Sequence, residues 1–165
     1  MTLAIRSARP SDLADLVRFN AGLAAETEDL ALDVDRLTAG VRRLLEDPSR
    51  GRYLVAELDG RAVGCLAVTR EWSDWRDGWF WWIQSVFVEA DARRRGAYRA
   101  LWDAVRAEAE DDPSVRGVRL YVDHDNTRAQ AVYEALEMVP SHYRFYELEF
   151  AAPPTEDSVA GAEDR

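Results

Sequence analysis

Apolar residues in this chain recur at two spacings, and the switches between them mark out the elements. Leu3 to Arg6 predicts a short first strand. After Pro10, with Ser11 as N-cap, Leu13, Leu16, Val17, Ala21 and Ala24 fall on one side of a helix. The acidic run Glu26 to Asp33 breaks that stripe and predicts a loop. A second helix is expected from Val34 to Glu46, with Leu37, Val41, Leu44 and Leu45 inward and Asp47-Pro48 as its stop. Tyr53 to Leu58 and Arg61 to Thr69 read as strands joined by an Asp59-Gly60 hairpin turn. A turn from Ser73 to Gly78 leads into a third strand of this meander. A helix then starts near Gly96 and stops at Asp111-Asp112-Pro113. Val115 to Val122 is a further strand, Thr127 to Leu136 a short helix, and Tyr143 to Phe150 a last strand.

The strand from Trp79 to Val88 is apolar except for Gln84 and Ser85. Strict alternation puts Trp79, Trp81, Ile83, Ser85 and Phe87 on one face and Phe80, Trp82, Gln84, Val86 and Val88 on the other. Both faces are mainly apolar, as in a central strand covered on two sides. This strand connects to the one near Val118 through a helix, so the two are expected to be parallel neighbours. The element order predicts an α/β (α+β) protein with a mixed sheet and helices on both faces. Where parallel strands diverge, their carboxyl ends open a crevice suited to a ligand.

At that end the chain reads Arg93-Arg94-Arg95-Gly96-Ala97-Tyr98 and enters a helix. Helix N-termini point N–H groups and the positive end of a dipole at one spot, a setting for phosphate. The triplet can equally be a solvated turn, and neither a Walker loop nor a three-glycine dinucleotide fingerprint is present. A second motif has to decide.

Composition narrows the field. The chain has 165 residues, 47% apolar or aromatic, enough for one domain with a proper core. A formal net charge of −10 argues against nucleic acid as a partner and favours a small cationic or neutral substrate. All 21 basic residues are arginine, which excludes lysine-based catalysis. A single cysteine, Cys65, allows neither an intrachain disulfide nor a cysteine metal cluster. Two isolated histidines leave little from which to build a metal site, and no metal is expected. No apolar run is long enough for a membrane span, and the N-terminus does not read as a signal peptide, which points to the cytoplasm. The tail at 151–165, rich in Ala, Pro and acidic residues, is expected to be disordered, with residues 1–150 forming one domain.

The second motif is Asn126-x-x-Ala129-x-x-x-Tyr133-x-x-Leu136-x-Met138. On a helix Asn126, Ala129 and Tyr133 share a face. Together with Val86-Phe87-Val88, a four-residue spacer and Arg93 to Tyr98, this resembles the GNAT superfamily of acyl-CoA-dependent N-acetyltransferases, in element order from Leu3 to Phe150. The resemblance implies a centrally splayed sheet and acetyl-CoA as co-substrate. It implies a diphosphate-binding loop spanning Arg93, Arg94, Arg95, Gly96, Ala97, Tyr98 and Arg99. The strand at Val86, Phe87 and Val88 would pair with the pantetheine arm, with main-chain N–H groups near Phe87 polarising the thioester carbonyl. Asn126 would cap its helix, bind the pantetheine, or both. Tyr133 would be the general acid toward the departing thiolate, a role open to a phenol with a pKa of about 10. Without the resemblance Tyr133 reads as a core aromatic. The chain departs from the family pattern at Tyr98, where a small residue is usual, at Ala90 in place of proline, and at Glu137 in place of a glycine that would end the helix.

The acceptor is expected to be a small-molecule amine. Gln84 occupies the strand position where many relatives carry a glutamate base, and a carboxamide has no basic lone pair to offer. A water relayed through Gln84 or Ser85 is one alternative, and Asp74, Asp77 and His142 are others. Glu26 and Glu28, read as part of a loop walling the acceptor site, are the preferred contacts for a cationic amine. Five of the six tryptophans fall between Trp72 and Trp82. They read as core or subunit interface, with Trp72, Trp75 or Trp79 at the acceptor mouth as the other reading. That face and the last strand suggest a homodimer. A non-catalytic CoA-binding regulatory or interaction protein of the same fold is the rival reading, prompted by Gln84.

Overall fold

In a computed structural model, which describes residues 2–150, the chain opens with β1 (Leu3–Ser7), α1 (Leu13–Glu28) and α2 (Val34–Glu46). Then come β2 (Arg52–Leu58), β3 (Arg61–Ser73), β4 (Gly78–Val88), α3 (Ala97–Asp111), β5 (Val115–Leu120) and α4 (Thr127–Ala135). The chain divides into two compact units, one through Tyr121 and one from Val122 onward.

The first unit holds a five-stranded sheet in the order β1-β2-β3-β4-β5, antiparallel except for the parallel β4–β5 pair. The hairpin between β2 and β3 turns at Asp59 (φ 50°) and Gly60 (φ 81°), both left-handed, as the twist of a two-residue hairpin requires. One sheet face meets α1 and α2: Leu16, Phe19 and Val41 pack with Tyr53, Val55, Cys65 and Ala67, all buried. Leu37, Leu44 and Leu45 join that cluster, as the helical spacing predicts. Asn20, buried in α1, donates to the Leu16 carbonyl (2.8 Å) and the Tyr53 hydroxyl (3.2 Å), so its amide nitrogen is satisfied within this core. α3 buries Ala97, Leu101, Trp102, Val105 and Ala109 and contacts β1 through β5.

β4 does not alternate throughout. Leu66 faces Val86 and Val68 faces Ile83, so two residues of β4, Gln84 and Ser85, stand opposite Ala67 alone. This β-bulge shifts the side-chain phase by one. Phe87, paired with Cys65, therefore shares a face with Trp82, paired with Thr69. Val86 and Val88 share the other face with Trp81 and Ile83. The simple alternation expected from sequence holds only up to the bulge.

Other corrections are local. Ser11 lies within a 3-10 turn, Pro10–Asp12, and Asp12 takes the N-cap position of α1. β3 extends to Ser73, beyond the predicted end. Residues 143–150 form no strand: among the described residues they pair with no ladder, and Tyr143, Phe145, Tyr146, Leu148 and Phe150 are exposed. A strand exists only through a partner, and the apolar–polar alternation of 146–150 does not supply one. The tail expected to be disordered lies outside the described residues.

Gly51 shows where backbone geometry dictates sequence. Its φ is 143°, and a Cβ there would sit 2.4 Å from the Val68 carbonyl oxygen. Gly51→Ala is expected to destabilise the first unit by about 2 kcal/mol, because neither the φ nor the backbone neighbour can yield cheaply. A urea melt checks this through a lower midpoint with an unchanged slope.

Candidate active site

The ladder between β4 and β5 runs from Trp79↔Val115 to Ile83↔Leu120 and stops there. β5 ends at Leu120, while β4 continues through Val86, Phe87 and Val88. The edge of β4 that faced β5 thus leaves main-chain donors and acceptors beyond the β5 ladder, right after the bulge. This is the opening expected at the carboxyl ends of parallel strands.

The end of β4 is firmly placed. A Cβ at Gly22 would come within 2.9 Å of the Phe87 ring, so glycine lets α1 approach β4 closely. Phe87 also meets Phe19, with ring centroids 5.9 Å apart. Glu89, the residue after β4, pairs with both Arg18 and Arg61, and Arg61 reaches Asp91 at 2.8 Å. These ion pairs tie α1 and β3 to the 3-10 turn Ala90–Ala92, where Ala92 is buried.

The backbone then reverses hand twice. Arg93 is extended, Arg94 is left-handed (φ 62°) and Gly96 is left-handed (φ 84°, ψ 0°) at the N-cap of α3. Alternation of this kind turns successive N–H groups toward one concavity. Gly96 at the N-cap has no side chain with which to cap α3, and the first ladder bond is Ala100 N–H to the Gly96 carbonyl (2.9 Å). The N–H groups of the first turn are therefore directed out of the helix, with the dipole behind them. A Cβ on Gly96 would meet nothing within 4 Å, so glycine is needed there for its φ rather than for space.

The arginine side chains divide. Arg93 turns back: its Nε donates to the Val88 carbonyl (2.8 Å) and its Nη2 to Glu26 (2.5 Å). Arg99 pairs with Asp103 one turn along α3 (2.9 Å). Arg94 and Arg95 are exposed, Tyr98 is half-buried and Ala97 is buried. What this loop offers an anion is above all its main chain.

Among the acceptor candidates, Glu26 and Glu28 lie in the last turn of α1, not in a loop; α1 runs on until Asp29 ends it in a left-handed conformation (φ 51°). Glu26 holds Arg93, and Glu28 is exposed. Gln84, in the bulge, is exposed and donates to the Thr69 hydroxyl (2.9 Å). Asp74 and Asp77 belong to the β3–β4 turn, and His142 is exposed. Trp75 is 87% exposed at the hairpin tip, while Trp72 and Trp79 meet edge to face at 4.9 Å.

In the second unit, Asn126 caps α4: its Oδ1 accepts from the Ala129 N–H at 3.0 Å. Tyr133 is half-buried. The helix ends with Met138 N–H on the Tyr133 carbonyl and Glu137 N–H on the Glu134 carbonyl, both 3.0 Å. This is the Schellman closure, with Glu137 at φ 67° where glycine is favoured. The helix therefore keeps its left-handed stop despite the missing glycine.

Cys65 is buried, and burial pushes its thiol pKa up to about 12. It cannot serve as a thiolate carrier near neutral pH. Iodoacetamide is expected to leave Cys65 unmodified in the folded protein and to alkylate it in urea, as peptide mass spectrometry would show.

Among the described residues, no helix is long and apolar enough to cross a membrane. Residues 20–138 match the model of the acetyltransferase (GNAT) family. No curated protein matches the chain. A crystal structure described as a possible acetyltransferase from Clostridium difficile 630 is 41% identical, covers 92% of this chain and 100% of its own, and superposes with a TM-score of 0.87. A ribosomal-protein-alanine N-acetyltransferase from Brucella melitensis is 19% identical over 90% of this chain and 100% of its own, with a TM-score of 0.71. An aminoglycoside N-acetyltransferase in complex with CoA is 19% identical over 91% of this chain and 96% of its own, with a TM-score of 0.73. The last two share the fold. The matched segment contains the end of β4, the loop at 93–98 and the Asn126–Tyr133 helix, and with it this chain belongs to the GNAT acetyltransferase family.

Proposed function

We propose that this protein transfers an acetyl group from acetyl-CoA directly to a primary amine of a small, cationic acceptor. The observation that carries the reading is the continuous stretch in which β4 outruns β5, reverses hand at Arg94 and Gly96 and enters α3 through a glycine N-cap. That stretch supplies main-chain donors and no competing side chain at the N-cap, which suits a diphosphate. In this reading the N–H groups of residues 94–99 hold the diphosphate, and Val86 and Val88 pair with the amides of the pantetheine arm. Main-chain N–H near Phe87 then polarises the thioester carbonyl.

The amine nitrogen attacks the thioester carbon, a C–N bond forms, and the C–S bond breaks. The departing sulfur takes a proton from the Tyr133 hydroxyl, a role assigned from the place of Tyr133 in the Asn126–Ala129–Tyr133 segment. The proton lost by the amine goes to water, since the Gln84 carboxamide has no basic lone pair, and water returns a proton to the Tyr133 phenolate. Buried Cys65 argues against an acetyl-cysteine intermediate and for direct transfer. The net charge of −10 favours a cationic acceptor. The structural relatives include proteins named for an aminoglycoside and for a ribosomal protein, so the acceptor has to be read from this chain's own residues.

Gln84 favours a second reading, a CoA-binding regulatory or interaction protein without turnover. Release of free thiol from acetyl-CoA across a panel of amines, with mass spectrometry of the products, separates the two. Acetyl transfer predicts thiol release matched by N-acetylated amine. CoA binding with no amine ever acetylated would establish the regulatory reading instead.

A further inference from the structure

We propose that the exposed end of the α1/α2 face of the sheet seats the acceptor, and that Glu71 anchors a second ammonium group on it. The preferred substrates are then diamines and larger amines bearing a second positive charge. The proposal builds on the acetyl-transfer reading and names its substrate class.

Pairing fixes which side chains share this face. Cys65, Ala67, Thr69 and Glu71 alternate along β3; Thr69 pairs with Trp82 of β4, and Trp82 with Arg119 of β5. The helices cover Cys65 and Ala67, which are buried, but Glu71 is exposed and Tyr121 is 52% exposed. The face therefore emerges from under the helices at the bulge, where Gln84 meets Thr69, and continues as an open ledge toward Glu71.

The ledge is a built surface. Trp82 stacks on Tyr121, centroids 4.5 Å apart and planes 25° from parallel. Trp82 Nε1 donates to Glu71 Oε2 (2.5 Å), and Arg119 Nη1 donates to Glu71 Oε1 (3.1 Å). A carboxylate accepts about four hydrogen bonds, so one lone pair on each oxygen is left for a ligand while the two donors hold the group in place. Arg119 shows that a cation is at home here: its guanidinium lies 3.6 Å from the Phe80 ring centroid while pairing with Glu71. Ring face and carboxylate are the two interactions an ammonium group would use.

Spacing sets the ligand's length. Gln84 at the bulge bonds Thr69, and Thr69 and Glu71 are two residues apart on β3, about 7 Å. A four-carbon diamine spans a similar distance when extended. With one nitrogen at the bulge, next to the open end of β4, the other reaches the Glu71 carboxylate.

The test compares 1,4-diaminobutane with 1-aminobutane, which differ by one ammonium group, by calorimetry on the full chain saturated with CoA. The diamine is expected to bind about tenfold tighter, as for one added charge-assisted hydrogen bond. Glu71→Gln, which keeps an acceptor for Trp82, should erase the difference, and Arg119→Met, which leaves Glu71 unneutralised, should widen it. Equal binding of the two amines, or a diamine preference that survives Glu71→Gln, overturns the proposal. Turnover is read separately with acetyl-CoA. A diamine preference abolished by Glu71→Gln but without acetylation would support the anchor and contradict acetyl transfer. Acetylation of both amines with the same KM, unmoved by Glu71→Gln, would support acetyl transfer and contradict the anchor.

Discussion

Tyr133→Phe is expected to lower kcat for acetyl transfer by about 100-fold while leaving CoA affinity unchanged. The substitution deletes one hydroxyl and keeps the ring, so the packing of a half-buried side chain is preserved. The closure of α4 is preserved as well, because Met138 bonds to the main-chain carbonyl of residue 133 and not to its side chain. The loss of a proton donor to a departing thiolate is a term worth about 100-fold or more in general acid catalysis. Single-turnover rates with thermal melts of both proteins make the comparison. An undiminished kcat would mean that solvent protonates the sulfur and that Tyr133 is only a packing residue.

Asp12→Ala is expected to cost about 3 kcal/mol, the cost of breaking a buried ion pair from one side. Asp12 is buried and accepts from both terminal nitrogens of Arg6 (2.7 and 2.8 Å) and from the Arg9 N–H (2.6 Å). Arg6 in turn donates from Nε to Glu57 (2.8 Å), so one guanidinium joins β1, the turn before α1 and β2. The Arg6 hydrogen bonds, aided by the Arg9 N–H, hold the Asp12 pKa below the usual carboxylate range. A carboxylate lowered in the folded state contributes stability that is fully present above its unfolded pKa, about 3.9, and is lost as pH falls through the folded value. Wild-type stability should therefore drop on acidification below about pH 4, and the Asp12→Ala protein should show a shallower drop. Urea melts between pH 2 and pH 7 check both the size and the slope.

Legibility in the sequence followed the range of the interactions. α2 ran where its stripe of Leu37, Val41, Leu44 and Leu45 placed it, and the Asp59-Gly60 turn did what its two residues dictate locally. The mixed sheet followed from element order, since a helix between two strands forces a parallel crossover. The failures needed a partner to be seen. The bulge at Gln84–Ser85 exists only as a mismatch of count between β3 and β4, and nothing in a run of apolar residues announces it. Ser11 looked like a cap, but Asp12 holds that position, its carboxylate taken by Arg6 six residues away rather than by the helix. Glu26 and Glu28 broke the apolar stripe without breaking the helix, since polarity on an emergent last turn carries no backbone penalty. Residues 146–150 had the alternation of a strand and, among the described residues, no ladder to join.

The candidate site divides the same way. The glycine of the 93–98 turn, the Asn126 cap and Tyr133 stand in motifs of fixed spacing. The Glu71–Trp82–Arg119 surface joins three strands and has no spacing of its own. The left-handed conformation of Arg94 also has no sequence signature, because glycine, asparagine or aspartate would ordinarily mark it.

The central claim is that main-chain N–H groups of the turn between β4 and α3 grip the diphosphate of CoA. Backbone amide shifts of the uniformly 15N-labelled protein, recorded as CoA is added, test it most directly. The account predicts saturating shifts centred on residues 94–99, reproduced by the diphosphate-containing half of CoA and absent with free pantetheine. Saturable CoA binding that leaves those amides unmoved would contradict it.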